Sequence, residues 1–205
     1  MRIFYFVALC FALCNVVPEH SVADEDSIPD SAATVNFDFV HHCEIGDCAF
    51  RFETTTLGGI IHALGGGVIA ENGKDAGEGE FYVDFQDGTN LIRFSSNAEM
   101  GGKDHLLGEI EIRPLSIDEK RAVIPYLRSP EIFQFGSVGE SYSRLKALLG
   151  TAEINDGVAW YRCSGKKSIK DSSGKILEYD VSGALRLHIV EGKVVALHVW
   201  QVTSS

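Results

Sequence analysis

Apolar and polar residues alternate with a period of two in several stretches of this 205-residue chain, and only an extended strand puts every second side chain on one face. Val35, Phe37, Phe39, His41 and Cys43 alternate with Asn36, Asp38, Val40 and His42. Cys48, Phe50 and Phe52 resume the pattern after Glu44-Ile45-Gly46-Asp47, and Phe81, Val83 and Phe85 repeat it before an Asp87-Gly88 turn. Residues 91–94 and 106–112 are further strand candidates. Three more strands are expected at 176–181, 185–190 and 194–202, with 164–174 as a basic loop between Trp160-Tyr161-Arg162-Cys163 and the first of them. Helical signals interrupt the strands at three places. Residues 54–67 carry a Thr cap, Leu57, Ile60, Ile61 and Leu64, and a glycine stop at Gly65. Ser116-Ile117-Asp118-Glu119 is a capping box that opens a helix through Ile124, and Ser141 caps a third helix that ends at Gly150.

The amino terminus sets the compartment. Arg2 is followed by an apolar run over 3–17 broken only by Asn15, then by Pro18 and by small residues at Ser21-Val22-Ala23, the layout of a cleavable export signal over residues 1–23. The run is shorter than the roughly 20 residues that span a bilayer, so no transmembrane segment is expected after cleavage. Leu9 and Leu13 precede Cys10 and Cys14, where a lipidated cysteine would want a small residue. The exported chain, periplasmic or secreted, starts near Asp24 and loses one base and one acid (Arg2 and Glu19). Its formal charge therefore stays at −11. That acidity argues against nucleic acid and anionic membrane surfaces as partners. Cys43, Cys48 and Cys163 survive processing. In an oxidising compartment Cys43 and Cys48 are expected to form a disulfide across their hairpin, with Cys43 opposite Cys48.

No motif carries chemistry. His41-His42-Cys43 with Cys48 offers zinc-ligand types, but the ligands are adjacent and no second Cys/His pair follows. Ser143-Arg144-Leu145-Lys146 and Ser164-Gly165-Lys166-Lys167 match Ser-x-x-Lys without the Lys-Thr-Gly that should accompany it. The glycines at 65–67 and 73–79 stand among Glu71, Asp75, Glu78 and Glu80, a field that repels phosphate. Asp84, Asp87 and Asn90 around Gly88 have hairpin-tip rather than EF-hand spacing. No catalytic, cofactor-binding or metal residue is assigned. A hydrolase reading would draw on His62, His105, His188, His198 and the acids around Asp84.

The last strands carry the surface expectation. With Glu191-Gly192 as a two-residue turn, Leu185, Leu187, Ile189, Val194, Ala196, His198 and Trp200 share one face. Arg186, His188, Val190, Lys193, Val195, Leu197 and Val199 share the other. Both faces would then be substantially apolar, so the second is expected to be covered, and Arg186, His188, Val195, Leu197 and Val199 form the candidate partner-binding face.

The chain also repeats itself. Ile60-Ile61-His62-Ala63-Leu64-Gly65 parallels Leu145-Lys146-Ala147-Leu148-Leu149-Gly150, and the aromatic pairs Phe81-Tyr82 and Trp160-Tyr161 follow in turn. The expected fold is α+β: a disordered lead-in at 24–34, then two related units at 35–115 and 116–205, each with short helices packed on an antiparallel β-sheet. Gly139-Glu140-Ser141, Leu145, Leu148-Leu149-Gly150, Trp160-Tyr161, Leu185-Arg186-Leu187 and Gly192-Lys193-Val194-Val195 follow one another in order. Over 139–202 this resembles the small lipoprotein subunit of the bacterial outer-membrane protein assembly machine. It also resembles the β-lactamase inhibitor protein, which is built from two such units. The resemblance implies a helical pair packed on one face of an antiparallel sheet, used for binding rather than chemistry. The expected function is binding another protein, as an envelope assembly factor or an inhibitor of an exported enzyme, without a cofactor. The alternatives are an exported hydrolase and a small-ligand carrier that uses the cleft between the units.

Overall fold

The computed structural model describes residues 28–35, 42–45, 48–72, 80–96, 105–116, 124–125 and 138–204. The expected signal segment, the helix over 117–123 and the glycine-rich stretch 73–79 lie outside them. The described strands are β1 (Ala33–Thr34), β2 (His42–Ile45), β3 (Cys48–Arg51), β4 (Ala70–Asn72), β5 (Glu80–Asp87), β6 (Asn90–Ser95), β7 (Glu109–Pro114), β8 (Ile124–Pro125), β9 (Ile154–Asn155), β10 (Val158–Lys170), β11 (Ile176–Val190) and β12 (Lys193–Ser204). The two described helices are α1 (Leu57–Leu64) and α2 (Tyr142–Leu149). Ten strands make one sheet in the order β1-β10-β11-β12-β7-β6-β5-β4, with β8 beside β5 and β9 beside β10; β2 and β3 form a separate hairpin.

This corrects the expected fold class. The chain is mostly β, and a single large mixed sheet replaces two helix-plus-sheet units. The two halves fuse because β12 pairs antiparallel with β7, from Leu197 opposite Ile112 to Trp200 opposite Glu109. Of the three helix signals, the two on described residues mark helices. Thr56 caps α1 by accepting the Gly59 N–H at 3.0 Å, and Gly65 closes it, whereas Ser141 stands at the N-cap of α2 without a side-chain cap hydrogen bond. At eight residues each, these helices lay only a few apolar side chains on a sheet whose longest strands run 13 and 15 residues. Other boundaries move, and the strands expected at 176–181 and 185–190 fuse into the single β11. Residues 164–170, expected as a loop, continue β10, because Lys166 and Lys167 find acidic partners in Glu178, Asp180 and Glu53. Within the expected disordered lead-in, Ala33 and Thr34 pair in parallel with Tyr161 and Arg162, and Arg162 Nη2 donates to the carbonyls of Ile28 and Pro29.

The hairpin of β2 and β3 is present, but its register departs from the expected one. Ile45 stands opposite Cys48 and Cys43 opposite Phe50, so Glu44 and Ile45 enter the ladder and only two residues separate the strands, the favoured hairpin length. The two cysteines therefore do not face each other. No disulfide is found among the described residues, and the side chains of Cys43 and Cys48 lie outside them.

One irregularity decides which side chains are buried. Val190 stands opposite Lys193, and Glu191 and Gly192, with φ of 50° and 74°, form the expected two-residue turn. Ile189 then pairs with Val194, but His188 pairs with Ala196, so Val195 is an extra residue in β12. The apolar positions explain the bulge. Val194, Leu197 and Val199 are spaced by three and then two, and a regular strand would bury His198 and Trp200 while exposing Leu197 and Val199. With the bulge, Val194, Leu197 and Val199 all join Leu187, Ile110, Ile112 and Phe94 in the core.

The core layer is closed by α1, through Leu57 and Ile60, and by α2, through Tyr142, Leu145 and Leu149. Tyr161 is fully buried beneath α2. Its hydroxyl meets that of Tyr142 at 3.2 Å and donates to the Gly150 carbonyl, and burial raises its pKa above the usual tyrosine value. A buried polar stitch ties the segment before α1 to the end of β12. Glu53 Oε2 accepts from Lys167 Nζ at 3.3 Å, Gln201 Nε2 at 3.0 Å and Thr203 Oγ1 at 2.5 Å. Glu53 holds a φ of 54°, in the left-handed region, fixed by this stitch and by its N–H bond to Leu107.

Cys163 is free and buried, in register with Gly183, and burial pushes its thiol up to about 11. A Cβ at Gly183 would lie 2.6 Å from the Trp200 carbonyl oxygen and 2.9 Å from Cys163 Sγ. Gly183→Ala is therefore expected to cost about 1–3 kcal/mol in urea unfolding, the range for overpacking a core. Alkylation followed by peptide mapping should leave Cys163 unmodified in the native protein and modified once it unfolds.

Candidate functional site

The face of the sheet turned away from the helices is mainly polar and aromatic, although it also carries Leu91 and Ala184, both buried. It is built from one row of side chains in direct cross-strand register: Trp160 on β10, Arg186 on β11, His198 on β12, Glu111 on β7, Arg93 on β6 and Asp84 on β5. At about 4.8 Å per strand the row is roughly 24 Å long. A second row runs beside it through Arg162, Ala184, Trp200, Glu109, Ser95 and Tyr82.

The side chains of these rows hold one another upright. Arg93 makes a bidentate pair with Asp84, at 2.8 and 2.9 Å, and its guanidinium lies 4.1 Å from the Tyr82 ring centroid. Burial works against the Arg93 charge, but the hydrogen bonds and charge of Asp84 outweigh it and raise the pKa above the ordinary arginine value. His198 Nε2 stands 2.8 Å from Glu109, Arg113 stands 3.3 Å from Glu111, and the Arg186 guanidinium sits 5.5 Å over the Trp160 ring. The side chains of Asp84, His198, Arg93, Glu109 and Glu111 keep between 16% and 27% of their surface exposed. Pre-ordered side chains of this kind lose little entropy when a partner docks.

The expected partner face is split by the bulge. Arg186 and His188 lie on the outer face and half-buried Val195 is the bulge residue, but Leu197 and Val199 are buried in the core. The expected apolar second face is therefore absent from this part of the sheet. His198 and Trp200, assigned by the sequence to the opposite side, stand beside Arg186 instead. The remaining hydrolase candidates do not converge. His62 is exposed on α1, and His105 stacks on Phe81 at 3.9 Å between ring centroids. His198 does meet a carboxylate, and Ser95 is in register with that same Glu109, but Ser95 is fully buried and no substrate reaches it. Among the described residues no group of three or more His, Cys, Asp or Glu side chains is placed to hold a metal. Sequence reasoning missed Trp160, Glu109, Glu111 and Arg93. Their alternation was visible, but which face they share follows from register.

The acidic half of the face has a titration signature. Burial raises the Glu80 pKa above the ordinary glutamate value, Ser95 partly opposes the shift, and the charge of Glu109 adds to it. A carboxyl with a raised folded value binds its proton more tightly in the native state, so its ionisation destabilises the fold as pH rises through that value. Glu80→Gln should therefore raise the urea midpoint at pH 7, and the gain should vanish as pH falls below the unfolded glutamate value near 4.3. An equal gain at both pH values would contradict this. Comparison with protein-family models, curated proteins and solved structures finds no match to this chain.

Proposed function

We propose that the protein is an exported, non-catalytic protein-binding module, working in the periplasm or outside the cell as an assembly factor or inhibitor. The binding surface in this reading is the outer face of the large sheet. The observation that carries it is the register row from Trp160 to Asp84, which places tryptophan, arginine and carboxylate side chains, partly exposed and mutually braced, on one rigid platform. Tryptophan, tyrosine and arginine are the residues that dominate binding energy at protein interfaces, and the two rows supply Trp160, Trp200, Tyr82, Arg93 and Arg186. Export is supported by Arg2, the apolar run at 3–17 and the small residues before Asp24.

Hydroxyl-radical footprinting of the mature chain, as dilute monomer and in complex with its partner, tests this reading. Trp160, Trp200 and Tyr82 should lose reactivity in the complex, and Arg93→Ala or Trp160→Ala should weaken it by at least about tenfold. Protection confined to other surfaces, or ester or peptide turnover by a clean monomer, would contradict it.

A further inference from the structure

The outer row reads with complementary chemistry in both directions about its centre. Counted outward from His198 on β12, Arg186 is one strand away on one side and Glu111 one strand away on the other. Trp160 and Arg93 are each two strands away. A two-fold axis along β12 would lay a second copy of the sheet face down on the first with strand positions reversed. Arg186 of each copy would then stand over Glu111 of the other, and Trp160 over Arg93, so that two ion pairs and two cation–π contacts form at once. His198 and Trp200 would meet their own counterparts on the axis, with Trp200 filling the centre.

The geometry points to a second copy of this chain as the partner of the outer face, in a two-fold, face-to-face dimer about β12. This rests on the outer face being a protein-binding surface, and it adds the identity of what binds there. Charge complementarity singles out the self-pairing. The β10–β11 half of the face carries Arg162, Arg186, Lys166 and Lys170 against Glu178 and Asp180, whereas the β5–β7 half carries Glu80, Asp84, Glu109 and Glu111 against Arg93 and Arg113. A uniformly basic partner would suit one half and repel the other. The formal charge of −11 per chain opposes dimerisation only weakly at physiological salt, where fields beyond about 8 Å are screened.

Sedimentation equilibrium on the mature chain tests the proposal. The wild-type protein should dimerise. Arg186→Glu and Glu111→Arg, each checked for native circular dichroism, should each be monomeric, with affinity at least about tenfold weaker. An equimolar mixture of the two variants should then dimerise again. In a mixed pair the introduced acid of one chain faces the introduced base of the other, and the two native side chains, Arg186 and Glu111, face each other across the axis. Both contacts are attractive there, whereas two like chains set equal charges against each other. An effect confined within one chain cannot produce that rescue. Should either variant fail to fold, Trp160→Ala with Arg93→Ala serves instead, and each should weaken the dimer. A wild-type chain that stays monomeric but whose outer face is protected by a foreign protein would overturn the self-pairing and leave the binding reading standing. A dimer indifferent to both charge reversals, or variants that fail to rescue each other, would overturn it as well.

Discussion

The extra residue at Val195 governs the molecule. Up to Val194 the β11–β12 hairpin follows from its two-residue turn, and beyond Val195 every side chain of β12 faces the opposite way from a regular continuation. Because β12 is the strand that joins β7, this single offset also fixes which residues of β7, β6 and β5 line the core. Leu197 pairs with Ile112, which pairs with Ile92, which pairs with Phe85, and all four are buried. Without the bulge, His198 and Trp200 would enter that layer, and burying an imidazole among aliphatic side chains without a partner costs several kcal/mol.

The same offset composes the outer face. It puts His198 beside Arg186 and opposite Glu111, and Trp200 opposite Glu109. The charges there stabilise one another modestly because they are partly solvated. Their larger effect is to hold side chains in fixed positions. The Glu53 stitch acts on the other side of the sheet, where it fastens the segment leading into α1 to Gln201 and Thr203 at the end of β12. Both layers thus converge on one strand.

Local chemistry was legible in the sequence, and long-range pairing was not. A threonine cap before Leu57, the Gly65 stop, the Glu191-Gly192 turn and the strand alternation at 81–85 need only neighbours in the chain, and each is found, the cap falling on Thr56. The merger of two apparent units into one sheet depends on β12 meeting β7, a contact between residues some 85 positions apart that no local pattern encodes. Arg186, His188, Val195, Leu197 and Val199 do not share one face for a related reason. A bulge leaves no composition signal of its own, since Val195 is apolar like its neighbours, so reading period two through it inverted Leu197 and Val199. Their spacing from Val194, three and then two, is the clue that was present. The lysines at 166–170 concealed a strand because both sides of that ribbon are wet, which erases the alternation.

The register across the bulge is the point on which this account rests, and cross-strand nuclear Overhauser effects in the isotope-labelled chain measure it directly. Contacts between Arg186 and His198 and between Leu187 and Leu197, with Ile189 still contacting Val194, are the predicted result. Contacts that pair Arg186 with Leu197 and Leu185 with His198 would mean a regular hairpin, and both the core and the outer face described above would be wrong.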